Sequence, residues 1–457
     1  MTIEPTNFKL SEFVSGLEYD LIPLEVIEKA KQCLLDVARL AVLGSRLPSG
    51  KRTREVFHRM GGTPECTVIG FPGRLPAPYA AYVNGTAAHS VENDDTHVGA
   101  VHHPGVTTIP AALAIAEREN SNGRELITGV VAGYEVMIRL GLAVQPSLFA
   151  DRGFHGTAVM GHFGAVAATA SLLELSTERT MHAMGLAASY ASGLANWYQG
   201  GMVKYIHAGK AARGGVEAAL LAAEGLTSPS QIFEGKRGFF HAYSEVYDLA
   251  TAIADLGKEW KTLEIHFKPH ASNRHLQSTI QATASIAAEN NFSTSDVDYV
   301  EVVTSPEMAE VTKNVSPVDV IEAQSSIPIV VSVTLFKGGD RTLNEYLLFE
   351  DIKNSIHSAE IKELARKVRL SGDPEFDVQD GDARVTIKLN TGHSYTRYVD
   401  VIRGSPEDPF TMGELRGRFI EQASVLLPDD QLGAAADLIE QIQDLEDIGE
   451  LTEQLIG

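Results

Sequence analysis

The stretch "GTAVMGHFGAVAATASLLEL" (residues 156–175) is built almost wholly from small and apolar residues, with no polar face at the helical period. A run this long and this rich in alanine reads as a helix. A helix that is apolar all round belongs in an interior, where glycine and alanine let neighbouring backbones approach closely. The same texture extends outward in both directions. It holds "VTTIPAALAIAERE" (106–119) and "GRELITGVVAGYEVMIRLGLAV" (123–144) on one side, and "ERTMHAMGLAASYASGLA" (178–195) and "AGKAARGGVEAALLAAEGLTSP" (208–229) on the other. Nearer the start, "PLEVIEKAKQCLLDVARLAVLGS" (23–45) puts Ile27, Ala30, Leu34, Val37, Ala38 and Ala41 on one stripe, with Gly44 read as the stop.

Up to about residue 260 strand signals are scarce. Beyond it "DVDYVEVVTS" (296–305) is β-rich, and "SAEIKELARKVRLSGD" (358–373) reads as a helix running into a strand. "ARVTIKLNTGHSYTRYVDVIRG" (383–404) predicts a hairpin, with Val385, Ile387 and Leu389 alternating with polar residues before "NTG" turns the chain. After the proline-rich break "GSPEDPF" the sequence is helical and acidic again. The expected fold is therefore mainly α. Residues 1–265 and 405–457 form a large all-helical domain from both ends of the chain, and 266–404 form a smaller inserted α+β domain acting as a lid. A ligand is expected in a cleft between them.

Length and composition narrow the function. At 457 residues the chain exceeds the usual single-core size, and 44% hydrophobic with 21% charged residues is the balance of a globular protein. A net charge of −22 argues against nucleic acid or an anionic membrane as partner. The longest apolar runs, such as "IPIVVSVTLF" (327–336), are too short to span a bilayer, and "MTIEPTNFKL" lacks the pattern of a secretory signal. A cytoplasmic protein is expected. Cys33 and Cys66 fit neither a disulfide framework nor a cysteine zinc site.

Four segments concentrate groups that carry protons or bind anions. "HSVENDDTHVGAVHHPG" (89–105) holds Glu92, Asp94, Asp95 and Thr96 with His97, His102 and His103. Its plainest role is to cap the helix starting near Pro104, but so many histidines in one short segment point to proton exchange near neutral pH. These groups can also ligate a metal, although no recognised ligand spacing is present. "DRGFHGTAVMGHFGAV" (151–166) sets His155 at a helix mouth, where backbone N–H groups favour an anion, and His162 in an interior position. "NWYQGGMVKYIHAGKAARGG" (196–215) offers Lys204 and His207 ahead of a small-residue helix. There Lys204 can clamp a carboxylate or solvate a turn, while Lys210 and Arg213 read as surface groups and Arg213 pairs with Glu217. "IHFKPHASNRHLQSTIQA" (265–282) gathers Lys268, His270, Arg274 and His275, a local positive field for a carboxylate.

In this order the four segments resemble the MmgE/PrpD family, from "KAKQCLLDVARLAVLG" through "VNGTAAHSVENDDTH…HPG", "GFHGTAVMGHFGAVAA" and "KYIHAGKAARGGVEAALLAAEGL" to "FKPHASNRH" and "SPEDP". The resemblance implies a helical domain, a lid, a homodimer, and catalysis with no organic cofactor or metal. Its decarboxylase branch implies pocket residues at Glu92, Thr96, His102, His155, Lys204 and Lys268. Two positions depart from that branch: Glu92 stands for an aspartate, and Ile329 stands where a pocket tyrosine falls.

The leading expectation is a lyase for a small di- or tricarboxylic acid, of the 2-methylcitrate dehydratase type. A cis-aconitate decarboxylase type or a dicarboxylate epimerase are the alternatives, and a non-catalytic carboxylate binder is the last. Lys204, Lys268 and Arg274 would hold carboxylates, with His103, His207 and His270 assisting. His102 or His155 would move the proton, and Asp94 or Asp95 would orient an imidazole. His102→Ala and Lys204→Ala are expected to lose most turnover.

Overall fold

The computed structural model describes residues 4–196, 200–337, 348–376, 381–424 and 426–457. The fold is mainly α, and the chain divides into two compact units. One comprises Met1–Asn196, Val203–Ile265 and Thr411–Gly457, the other Trp197–Met202 and His266–Phe410.

Six helices of the first unit position the groups of interest: α1 (Leu24–Ser45), α2 (Ala77–His89), α3 (Gly105–Glu119), α4 (Gly123–Leu142), α5 (Gly156–Leu172) and α6 (Val203–Ala223). Helix α5, the apolar run that opened the sequence reading, is buried along nearly its whole length and packs against α3, α4 and α6. Small residues make that packing possible. A β-carbon at Gly209 of α6 would collide with the carbonyl of Tyr82 in α2, so the two helices meet backbone to backbone at this point. Gly44 does the same for α1 against Ala87. It therefore lies inside the helix and serves contact, and the helix runs on to Ser45. Helix α4 opens with a capping box in which Asn122 and Glu125 satisfy each other's backbone N–H groups, at 3.0 and 2.9 Å. Apolar side chains of α4 and α5, among them Leu140, Val159 and Phe163, join Phe233, Phe239 and Phe240 in one core. Two two-residue strands, Cys66–Thr67 and Arg74–Leu75, pair antiparallel.

The chain returns to this unit with the helix Met412–Ala423. Its Arg418 donates to Asn93 Oδ1 at 3.1 Å, and Gln422 accepts from Arg39 of α1 at 2.7 Å.

The second unit carries a four-stranded sheet, with β1 (Val297–Thr304), β2 (Val368–Gly372), β3 (Ala383–Leu389) and β4 (Ser394–Val399) in the order β2-β1-β3-β4. Strand β1 runs parallel to β2 and antiparallel to β3, and the expected hairpin pairs Ala383 with Val399 through Lys388 with Ser394. Val385, Ile387 and Leu389 face inward as their alternation predicts. Two helices, α7 (Gln277–Glu289) and α8 (Ile327–Lys337), pack together over this core, which includes Ile280, Val300, Val302 and Ile329. Among the described residues no helix is long and apolar enough to cross a membrane.

Candidate active site

The loop from Ser90 to Pro104 leaves α2 and enters α3. It folds back on itself through a bridge between His97 and His102, whose N–H to carbonyl distances are 3.0 and 3.5 Å. Glu92 and Val101 both take left-handed backbone conformations, at φ of 60° and 52°. For side chains of this size that geometry is strained, and strain of this kind persists where surrounding contacts over-determine it. At Glu92 the contact is an ion pair with Lys204 in the first turn of α6, with both residues at most 4% exposed.

Imidazoles gather beside this pair. His103 directs Nδ1 at the carbonyl oxygen of Asp95 (2.8 Å) and at Thr96 Oγ1 (3.0 Å), with Asp94 Oδ2 at 3.6 Å. A carbonyl can only accept, so Nδ1 of His103 carries the proton and Nε2 is its basic nitrogen. The backbone N–H of His103 donates to Thr157 Oγ1 in the first turn of α5, at 3.1 Å. His155 precedes that helix and meets His207 of α6, Nδ1 to Nδ1, at 3.0 Å. Burial first, and then His207, His89, Lys204 and His103, hold His155 well below the usual histidine range. Burial, then His89, Lys204 and Lys210, bring His207 down to about 4. Both rings are thus neutral at pH 7, a polar but uncharged wall beside one lysine.

Asp95 faces the other way. It accepts from Tyr134 of α4 at 2.7 Å and from the N–H of Gly105, the first residue of α3, at 3.0 Å. The capping role considered for this segment is therefore real at Asp95. Burial raises its carboxyl to about 7 against the opposing effect of the Tyr134 hydroxyl.

His102 stands apart. Its ring lies against Gly141 of α4, both nitrogens lack a hydrogen-bond partner among the described residues, and burial, His97 and His103 keep it well below its ordinary range. His97 pairs with Glu264 at 2.9 Å, and that hydrogen bond, with Lys261 also present, lowers Glu264 to about 2. His162 donates Nδ1–H to Ala158 at 2.8 Å inside α5, the interior role expected of it. Arg213 pairs with Glu217 at 2.7 Å.

The first unit thus brings together Glu92, Asp94, Thr96, His103, His155, Lys204 and His207. It adds His89, whose Nδ1 meets Asp94 Oδ2 at 2.7 Å, a residue that sequence reasoning missed. Its sequence signal is its place at the head of the histidine-rich segment 89–105, five residues before a carboxylate. Among the described residues no three His, Cys, Asp or Glu side chains are grouped to hold a metal ion.

Lys268, His270 and Arg274 belong to the second unit. Lys268 and His270 are buried there. Gln277 binds the loop that carries them. Its amide accepts from the N–H of His270 (3.1 Å) and donates to the carbonyls of His270 (3.2 Å) and Ser272 (3.1 Å). Ile329 is fully buried in the apolar core of the same unit.

The fold and these residues define a protein of the MmgE/PrpD family. Residues 9–252 match the MmgE/PrpD N-terminal domain and residues 270–444 the MmgE/PrpD C-terminal domain, and the chain belongs to that family. Among curated relatives it is similar to a cis-aconitate decarboxylase of Aspergillus terreus, 28% identical over 471 residues that cover 98% of this chain and 95% of the relative. The human cis-aconitate decarboxylase is likewise 28% identical, over 100% of this chain and 96% of its own length, and the Mus musculus enzyme 27%, over 100% and 94%.

Proposed function

We propose that this protein is a carboxy-lyase that removes carbon dioxide from a small unsaturated tricarboxylic acid of the cis-aconitate type. The observation that carries the reading is the buried Lys204–Glu92 pair, with His155 and His207 beside its lysine and His103 next to His155. The full-length similarity to three cis-aconitate decarboxylases supports decarboxylation over the dehydration that led the sequence expectations.

In such a substrate the bond to the departing carboxylate lies next to the double bond. As it breaks, its electron pair moves through the double bond to the carbon beside a second carboxylate. That carbon then takes one proton, so carbon dioxide leaves and a proton is gained. Lys204 is assigned to hold the second carboxylate, where fixed positive charge stabilises the transient enolate. Glu92 keeps Lys204 charged and in place. His103 is assigned the proton, because its tautomer is fixed and Asp94 stands ready to balance an imidazolium. Thr96 steadies the same ring. His155 and His207 supply neutral hydrogen-bonding groups. His102, with its ring against α4, has no part in this scheme.

Ile329 favours a second reading. With an isoleucine in the core at the position where the decarboxylase branch has tyrosine, one phenol of that branch has no counterpart here, and dehydration of a related hydroxy acid stays as the alternative. The test is to incubate the protein with cis-aconitate, methylcitrate and citrate in deuterated buffer and follow products by mass spectrometry. Loss of carbon dioxide with uptake of one deuterium supports the proposal, and loss of water supports the alternative. Unchanged acids throughout would leave a carboxylate binder and sink both.

A further inference from the structure

His89 ends α2 fully buried, and Asp94, five residues on, is fully buried too. The oxygen of Asp94 that His89 contacts at 2.7 Å is the one that stands 3.6 Å from Nδ1 of His103. The His89 ring lies between two other imidazoles, 5.5 Å from that of His103 and stacked on that of His155 at 5.9 Å and 21°. Its Nε2 has no hydrogen-bond partner among the described residues.

We propose that His89 and Asp94 form a positioning dyad for His103, in which His89 donates its Nδ1–H to Asp94 and Asp94 supplies the counter-charge when His103 is protonated. The proposal rests on the assignment of His103 as the proton carrier. One carboxylate gripped by two imidazoles makes physical sense of the geometry. The near imidazole keeps the carboxylate ionised and aimed, and an anion within about 4–6 Å favours the charged form of the other. The other titratable groups set against His103 are Asp95, through its backbone carbonyl, and His102 on its own loop, with His155 at the mouth of α5. All of these are left in place by the variants below.

The test uses the full chain labelled with ¹⁵N-histidine, following the titration of His103 by NMR alongside the pH profile of kcat. Asp94→Asn removes the counter-charge at constant shape. His89→Phe removes the donor, after which a buried carboxylate takes up a proton itself. Both are expected to move the titration of His103 to lower pH by about one pH unit, and the corresponding limb of kcat with it. KM should stay within about twofold and kcat should fall about 10–100-fold, the usual loss for removing a supporting partner. His89→Asn, whose amide keeps a donor near the place of Nδ1, should restore most of both. An unmoved His103 titration in folded Asp94→Asn overturns the dyad, and so does His89→Asn behaving no better than His89→Phe. Should the wild type turn over none of the acids, the lyase reading falls, while the NMR titration still decides the dyad. If His89→Phe does not fold, Asp94→Asn and His89→Asn answer the question alone.

Discussion

Replacing Lys204 by methionine should unfold the first unit far more readily than the loss of one surface charge would. Its side chain is 3% exposed and that of Glu92 6%, so the pair is held almost out of water. Removing Lys204 takes from the buried Glu92 carboxylate the ammonium it is paired with, a change that costs about 3–5 kcal/mol in buried pairs, whereas replacing both partners by apolar residues of similar volume is often neutral or better. Glu92→Leu combined with Lys204→Met should therefore regain most of what Lys204→Met alone loses. The left-handed backbone at residue 92 is strained with glutamate and with leucine alike, so it cancels from that comparison. Urea unfolding at pH 7, followed by Trp260 fluorescence in a Trp197→Phe background, reads the first unit. The double variant is expected to be folded and inactive, which separates the fold from the chemistry. An unchanged midpoint for Lys204→Met, or losses that simply add in the double variant, would refute the reasoning.

His103→Ala should lower kcat by about 10²–10⁴-fold, the usual weight of a placed proton carrier, and His102→Ala should chiefly lower the melting temperature, because His102 packs against α4; equal losses of kcat in the two would contradict the assignment. Asp95 gives a pH dependence. Its carboxyl is raised to about 7, so between about 4 and 7 the unfolded chain releases a proton that the native state keeps. The stability tied to Asp95 is thus fully present below pH 4 and lost as pH rises through 7. Relative to wild type, Asp95→Asn should look a few kcal/mol less favourable at pH 5 than at pH 8, measured by denaturant unfolding at both; a constant difference would place the Asp95 carboxyl in its ordinary range.

Much of the fold is legible because the first unit is built from runs whose composition allows one answer. Helix α5 has no polar face, so it can only be interior, and the alternation of Val385, Ile387 and Leu389 fixes which side of the hairpin faces the core. Glycine was harder to read. Gly44 looks like a stop from its place after an apolar stripe, yet the reason for it is a carbonyl on another helix, and such an approach leaves no trace in local sequence. The run 327–336 is rich in β-branched residues, and periodicity does not separate a buried strand from a buried helix. It is a helix, Ile327–Lys337, buried from Ile327 to Leu335. At the site, residue types single out the loop 89–105, but they do not say which of its histidines meets Asp94 and which packs on α4. His102 and His103 are adjacent, and the bridge between His97 and His102 turns them into different surroundings. His89 belongs to a helix end in sequence and to the imidazole cluster only in space.

The hydrogen bond from Arg418 to Asn93 joins the loop bearing Glu92 and Asp94 to a helix encoded more than three hundred residues later. A nascent chain emerging at about 5–20 residues per second therefore carries this loop without its clamp while residues 266–410 of the second unit are being translated. A ribosome stalled before residue 411 would hold a chain in which α1 to α6 are complete while the loop they carry still lacks its Arg418 contact.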